Sequence, residues 1–412
     1  MGASSKQVIG VIVALAVVAA LIAVMNPLGR GGAEPVESKE ATLPQLTSSV
    51  NEFTVDILKV MSRREGEENF VISPMNLYVA LLLLYEGTGS DTAKQIAETL
   101  HLPPGSSACR AYEELVSKLP VGSKGDARLF IANGVWLRKD FPFREEYVSR
   151  VKECFNATVK QFPGIEGLSD EINSWVARKT NGMIKKLVDD LTRDTEAVLV
   201  SALYFKGLWV KEFEYAGKLT FHAPSGDVRA DFMKVTQRLK VIKGGDYVAV
   251  EIPYRNTSIA MLIIMPKNLE DFVENLTYTQ LNSIVQAVIK AEPKEIELIM
   301  PKFHVKDKYD MVDTLKTLGI KDVFGDNADF SRMAHVGKGV LKVRQVIHAA
   351  AINVTEKGTE ASAATAVTIV LTAVPSNHSP EIIKIDRPFL YFLIDTSTGT
   401  ILFTGETYNP TT

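Results

Sequence analysis

The stretch from Glu356 to Ala373 constrains the fold most, because its composition is typical of a β-strand. A single glycine, Gly358, lies near its start and can adopt backbone angles that are closed to other residues. Small residues follow, then a β-branched run, and the stretch after Gly358 contains one charge, Glu360. Read with period two, one face carries only small or apolar side chains. Such a segment could be accepted into the middle of a sheet.

The residues after this stretch do not resemble a hairpin partner. Residues 375–380 contain two prolines and small polar residues, which is typical of an exposed loop. Two interpretations remain open. The segment is either an ordinary strand with a solvated turn after it, or a strand held outside a sheet by a loop that proteases can reach.

Residues 8–25 are apolar without interruption, which indicates an export or membrane segment. They are longer than the apolar core of most cleaved signals, about 7–15 residues, and just reach the about 17–25 residues that span a bilayer. We expect residues 1–33 to be a cleaved signal peptide, with an uncleaved signal-anchor as the alternative. Both place the bulk of the chain outside the cytosol, and the protein contacts a membrane only if the segment is retained.

Residues 34–45 are predicted to be a linker, and residues 46–412 show no further break in composition and are predicted to form one domain. The net charge of −3 suggests neither a nucleic-acid nor a strong membrane-surface partner. Two cysteines, Cys109 and Cys154, are too few for a disulfide-built scaffold, so the 46% of hydrophobic residues must form the core. Whether these two cysteines pair is left open.

The periodicity predicts helices first and strands later, and therefore an α+β fold with large, mainly antiparallel sheets and about eight to nine helices. Ser73-Pro74 is predicted to begin a buried helix, because serine caps helices and proline suits their first turn. The first predicted helix begins around Val50, and further helices are predicted at 77–85, 92–100, 144–155 and 169–180. The predicted strands cover 128–137, 197–205, 248–252, 260–265, 296–300, 341–352, 382–385, 389–394 and 400–404.

No motif of an enzyme is present. The six histidines show no pair at metal-ligand spacing, and no Gly-x-Ser-x-Gly elbow or phosphate-binding glycine loop occurs. We therefore predict no catalytic residues, no cofactor and no metal. His348 lies in an apolar run ten residues before Gly358, where it is either a satisfied core residue or a polar group that controls whether neighbouring strands part.

Several motifs, in order along residues 45–412, resemble those of the serpin family. The stretch Glu356-Lys357-Gly358-Thr359-Glu360-Ala361-Ser362-Ala363-Ala364-Thr365 resembles the hinge of an inhibitory, extracellular, invertebrate-like serpin. The other matching segments are Asn69–Pro74, Ile172-Asn173 with Trp175-Val176, Thr180 and Gly182, Tyr204–Trp209, Met300–Phe303, Asp386–Leu390, Thr398–Gly405 and Asn409-Pro410.

The resemblance implies a serpin fold with an exposed reactive-centre loop at about 356–381 and a suicide inhibitor of serine proteases. The target protease would attack one bond in the loop and form an acyl-enzyme. The freed segment would then insert as a new central strand. The hinge positions that face inward, Thr359, Ala361, Ala363 and Thr365, are uncharged and small, so we expect inhibition.

Family spacing from Gly358 implies cleavage between Thr372 and Ala373, with Leu371–Thr372 as the runner-up. The loop from Gly358 to Asn377 contains neither Lys nor Arg, which a trypsin-like pocket requires. We therefore expect an elastase-like or chymotrypsin-like target.

The resemblance also places His348 and Asn76 where serpins control sheet opening, and Trp209 near the top of that sheet. Ser201 departs from the pattern, because asparagine is usual there. Since serine reaches less far, we expect its hydrogen bond to His348 to be missing or water-bridged, and the sheet to open more easily. No basic cluster occurs between Cys109 and Leu119, so no strong heparin site is predicted.

Five Asn-x-Ser/Thr triplets suit a secreted glycoprotein, which we expect to be a monomer. We expect Asn353 to stay bare, since it lies in a strand-like run; the other four are Asn156, Asn256, Asn275 and Asn377. Two competing functions remain: a non-inhibitory serpin that serves as carrier or chaperone, and a membrane-tethered surface protein.

Overall fold

The structure is a computed structural model that describes residues 39–103, 105–122, 125–180, 182, 184–189, 191–193, 195–359 and 380–412. The described residues belong to one compact unit, Lys39–Thr412. The export or anchor segment within residues 1–33 lies outside them. Among the helices that the structure describes, none is long and apolar enough to cross a membrane.

Nine α-helices and one short 3-10 helix lie in the described part of the chain. In chain order they are α1 Leu43–Glu65, α2 Pro74–Gly87, α3 Ser90–Thr99, α4 Cys109–Lys118, α5 Glu145–Phe155, α6 Leu168–Lys179, α7 Leu269–Asn275, α8 Tyr278–Lys290, α9 Val312–Thr317 and the 3-10 helix Asp322–Phe324. The sequence motif at Ser73-Pro74 begins α2 as predicted, and the Ser73 side chain accepts a hydrogen bond from the Asn76 backbone N–H.

A nine-stranded sheet forms the apolar centre of the molecule. Its order is β15 Glu381–Lys384, β11 Lys294–Pro301, β8 Gly226–Lys243, β9 Tyr247–Pro253, β10 Ile259–Pro266, β16 Phe389–Asp395, β17 Thr400–Thr407 and β2 Phe70–Ile72, with β7 Glu214–Ala223 beside β8. The strands β10, β16 and β17 are almost fully buried: α1 and α2 pack on β17, α7 packs on β10, and the Phe303 ring contacts Phe389 and Tyr391 of β16.

A six-stranded sheet packs beside this core and carries the candidate site. Its order is β12 Phe303–Asp310, β13 Ile347–Thr355, β14 Gly358–Thr359, β6 Ala197–Leu208, β4 Ala127–Arg138 and β5 Thr158–Phe162. All of its pairs are antiparallel except β4 with β5. The α+β class and the mainly antiparallel sheets are therefore confirmed for the described residues.

The structure corrects several predicted boundaries. Residues 39–45 are not a linker, because β1 Lys39–Glu40 pairs with β3 Ser106–Ser107 and α1 begins at Leu43. The strand predicted at 341–352 begins only at Ile347, and the apolar residues before it line a cavity. The pattern also missed α4, α7, α8, α9, β7, β8 and β12, whose polar faces dilute the apolar periodicity.

The structure settles the pairing that the sequence left open. Cys109 at the start of α4 and Cys154 near the end of α5 form a disulfide across 45 residues of sequence. It joins two helices that lie on either side of β4 in the chain.

Candidate functional site

Two residues of the predicted hinge, Gly358 and Thr359, lie inside the six-stranded sheet as β14. The two residues of β14 pair with β13 on one side, Val354 with Thr359, and with β6 on the other, Thr359 with Gly207. Thr359 is buried, and its hydroxyl group is hydrogen-bonded to that of Tyr254. The first inward-facing hinge position is therefore already part of the sheet.

Gly358 has no room for a side chain. A Cβ atom at this position would lie 2.0 Å from the carbonyl oxygen of Gly207, and its φ of +154° is one that other L-residues rarely adopt. Only glycine can therefore occupy position 358 while the chain is paired in the sheet.

Trp209 lies above the hinge and holds the turn that precedes it. Its indole N–H donates to the Thr355 carbonyl oxygen at 2.9 Å, and its ring stacks on Tyr254 with centroids 4.3 Å apart. The backbone N–H of Trp209 donates to the carbonyl oxygen of Lys357, and the backbone N–H of Phe213 donates to the carbonyl oxygen of Glu356. The predicted hinge residue Glu356 also forms an ion pair with Lys302, with nitrogen and oxygen 3.0 Å apart.

Beyond the hinge, the two strands that flank β14 separate. No ladder joins β6 to β13 anywhere in the described part of the chain. Toward the opposite end of these two strands from β14, a cavity of about 560 Å³ is lined by residues 197–201 of β6, by Ile347 and His348 of β13, by residues of α2 and by the segment that precedes β13. Its apolar wall includes Leu84, Leu187, Phe330, Met333 and Leu341. We call this space the insertion cleft.

A buried set of polar side chains, the gate network, connects the two edges of this cleft. It consists of Ser73, Asn76, Asn133, Ser201 and His348. On the β13 side, His348 Nε2 accepts a hydrogen bond from the Ser73 backbone N–H at 3.0 Å. On the β6 side, Asn76 Nδ2 donates to the Ser201 carbonyl oxygen at 3.0 Å. Because Ser73 and Asn76 both lie at the start of α2, one helix terminus holds both edges.

The single hydrogen of the Ser201 hydroxyl group is shared between two acceptors, the Oδ1 atoms of Asn76 and Asn133, the latter at 3.0 Å. The Ser201 hydroxyl group is thus hydrogen-bonded to Asn76 and Asn133 and not to His348. Sequence reasoning missed Asn133, Tyr254 and Lys302. Asn133 carried a detectable signal, because it is a lone amide in an otherwise apolar stretch of strand.

His348 is neutral at ordinary pH. Burial lowers its pKa to about 4 because the charged imidazolium would lose its hydration. Since Nε2 accepts a hydrogen bond, the proton of the neutral ring lies on Nδ1. His348 is thus both a core residue and part of the gate network.

The rest of the predicted loop lies outside the described residues. This applies to the hinge positions Ala361, Ala363 and Thr365, to the bonds around Leu371, Thr372 and Ala373, and to Asn377. Among the described residues, no group of three or more acidic, histidine or cysteine side chains could hold a metal ion.

A sequence model described as Serpin (serine protease inhibitor) matches residues 48–410. The chain belongs to the serpin family. Serpins are protease inhibitors rather than catalytic enzymes.

Related serpins come from distant organisms. An uncharacterized serpin-like protein of Thermococcus kodakarensis is 35% identical, with 90% of this chain and 87% of that protein covered. A serine protease inhibitor of Cyanea capillata is 32% identical over 84% of this chain and 93% of its own length. Human thyroxine-binding globulin, solved with thyroxine, has a TM-score of 0.77 at 25% identity and covers 90% of this serpin and 100% of its own chain. These similarities extend over the whole described domain.

Three of the predicted glycosylation positions of this serpin lie at its surface. Asn156 ends α5 in a left-handed conformation, Asn256 lies in a turn, and Asn275 ends α7. Asn353 is half-buried on β13 opposite His304. Whether any of them carries a glycan stays a prediction, as does the lack of a strong heparin site.

Proposed function

We propose that this serpin traps an elastase-like or chymotrypsin-like serine protease as a covalent acyl-enzyme by inserting its cleaved loop into the insertion cleft. The observation that supports this most directly is the position of β14 between β13 and β6, whose facing edges pair with no other described strand. The segment that follows Thr359 in the sequence is small and β-branched, as a central strand requires.

The proposed reaction begins as ordinary proteolysis. The protease serine attacks the carbonyl carbon of Thr372, the bond to the Ala373 nitrogen breaks, and an ester joins Thr372 to the protease. Water would normally hydrolyse that ester. The freed segment instead enters the cleft from the residue after Thr359 onward and carries the protease with it.

The energy of insertion is sufficient to disturb a protease. About a dozen new backbone hydrogen bonds contribute roughly 0.5–1.5 kcal/mol each, and each buried Val or Ile side chain adds ~1.5–3 kcal/mol. The sum, on the order of 10 kcal/mol, lies within the ~5–15 kcal/mol that holds a typical protein folded. Distortion of the protease active site before hydrolysis is therefore energetically plausible.

Incubation with elastase, chymotrypsin and trypsin tests this function. We expect a complex that survives a denaturing gel with one of the first two, and a released peptide whose mass begins at Ala373. A peptide that begins at Thr372 would assign the runner-up bond. Cleavage by all three proteases without a stable complex would contradict the proposal and favour a carrier, while a trypsin complex would contradict the assigned specificity.

Thr359→Arg is the decisive variant. Thr359 is buried between two strands, so an arginine there would place a charge inside the sheet and displace β14, from which insertion must continue. We expect the variant to be cleaved as a substrate with little or no complex. Asp313→Arg serves as control, because the Asp313 side chain is 95% exposed on α9. A Thr359→Arg protein that traps its protease as well as this control does would refute the mechanism.

We further propose that the mature protein is a secreted monomer. The apolar segment 8–25 and the Cys109–Cys154 disulfide support an oxidising compartment outside the cytosol. Mass determination of the protein recovered from the medium and from the membrane fraction distinguishes a cleaved signal from a retained anchor.

A further inference from the structure

The gate network extends beyond the two strands that border the insertion cleft. Asn133 on β4 lies opposite Ser201 on β6, and its Oδ1 accepts from the Ser201 hydroxyl group. Its Nδ2 group uses both hydrogens, one to the Tyr112 hydroxyl oxygen and one to the Phe155 carbonyl oxygen, each at 3.0 Å. Asn133 is buried, so these three bonds account for its amide.

The two groups that hold the Asn133 amide are adjacent to the disulfide. Tyr112 lies one helical turn after Cys109 on α4, and Phe155 directly follows Cys154 on α5. Their rings are in contact, with centroids 5.4 Å apart. The disulfide therefore fixes the distance between the two acceptors that orient Asn133.

The same helices are connected to the opposite edge of the cleft. Tyr147 on α5 donates to the Leu83 carbonyl oxygen of α2 at 3.2 Å. The start of α2 holds β13 through Ser73 and His348. Both strands that must separate are thus attached to one group of helices, β6 through β4 and Asn133, and β13 through α2.

We propose that the Cys109–Cys154 disulfide slows the opening of the insertion cleft, and that Asn133 is the positioning residue through which it acts. With the disulfide closed, α4 and α5 keep both acceptors in place, and Asn133 holds β6 by way of Ser201. With it open, the ends of α4 and α5 can part, Asn133 loses a fixed acceptor, and β4 with β6 moves away from β13 more easily. This inference deepens the proposed insertion mechanism and rests on it.

The rate at which a labelled synthetic peptide of residues 359–371 enters the uncleaved protein measures cleft opening without any protease. We expect Cys109→Ala/Cys154→Ala to raise this rate roughly two- to tenfold, the change expected for the loss of about one neutral hydrogen bond from the barrier. Tyr112→Phe removes only one acceptor and keeps the ring contact, so it should give a similar increase even if the cysteine variant folds poorly. Tyr78→Phe is the matched control, because its buried hydroxyl group donates to Leu100, away from Asn133.

The combination of variants distinguishes this role from general stabilisation. If the disulfide acts through Asn133, its removal accelerates peptide entry in the natural background but adds little in Tyr112→Phe, while it lowers the resistance to urea in both. Additive effects on entry, an equal effect of Tyr78→Phe, or unchanged entry would overturn the inference. A protein that shows the coupling but forms no protease complex would refute the proposed inhibition alone, whereas no peptide entry into any form would overturn both.

Discussion

At the scale of single residues, Gly358 limits the hinge most severely. Gly358→Ala would bring a methyl group into the Gly207 carbonyl oxygen, so β14 would have to leave the sheet. We expect a loss of about 1–3 kcal/mol in the free energy of unfolding and a larger share of protease that escapes after cleavage. Urea unfolding and the stoichiometry of inhibition measure the two effects.

Gly66→Ala is the control that distinguishes the steric clash at Gly358 from the conformational cost of placing alanine at a positive φ. Gly66 also has a positive φ, +64°, but nothing lies within 4 Å of a Cβ atom there. We expect this variant to lose some stability and to keep its inhibition. Equal behaviour of the two variants would mean that Gly358 has no special role.

The lowered pKa of the buried His348 should make the stability of the protein depend on pH. Its pKa is about 4 in the folded protein and about 6.5 when unfolded. Between these values the unfolded chain binds more protons, so the free energy of unfolding falls as the pH falls from about 6.5 to 4, by on the order of 3 kcal/mol. Above pH 6.5 the contribution is complete.

Urea unfolding of His348→Gln tests this dependence. Glutamine can accept the Ser73 N–H without titrating, so the difference from the natural protein should change across this pH window. His304→Gln is the control, because His304 is exposed on β12. An identical pH profile for His348→Gln and the natural protein would contradict the assigned role of His348.

At the scale of secondary-structure elements, Trp209 should report the movement of β14. Its ring stacks on Tyr254, which is hydrogen-bonded to Thr359. Entry of the loop beyond Thr359 would alter these contacts, so we expect cleavage to change the intrinsic fluorescence. The other two tryptophans, Trp136 and Trp175, are packed against each other on β4 and α6. A fluorescence change that survives in Trp209→Phe would contradict this assignment.

Elements with one continuous apolar character could be predicted from the sequence, whereas those with mixed faces could not. The buried α2 and the strands β10 and β16 appear within two or three residues of their predicted ends. The long strand β8 was missed because charged residues recur along it, and β12 because lysine and aspartate alternate with its buried side chains.

The candidate site divides in the same way. The sequence motifs identified the hinge, His348, Asn76, Ser201 and Trp209. The contacts of Asn133 with Tyr112 and Phe155 bring together residues from three elements, and no local pattern encodes such a meeting. Only the fold could place them beside the disulfide.

At the scale of the whole molecule, the two large sheets differ in completeness. The nine-stranded sheet has a continuous order of paired strands, whereas the six-stranded sheet, among the residues that the structure describes, has only Gly358 and Thr359 between β13 and β6. In the proposed mechanism, pairing at the unused positions of β6 and β13 releases free energy only after the loop has been cut.

Cleavage within residues 360–379 should therefore make the protein more stable, although it breaks the chain. An insertion energy on the order of 10 kcal/mol would raise the melting temperature by roughly 10–20 °C for a domain of this size. Calorimetry before and after cleavage by a protease that is not trapped measures the shift. Thr359→Arg, cleaved at the same bond, should show no gain because its strand cannot enter. If the natural protein also melts at an unchanged temperature after cleavage, insertion of the loop releases no such free energy. The proposed covalent inhibition would then have no source of energy.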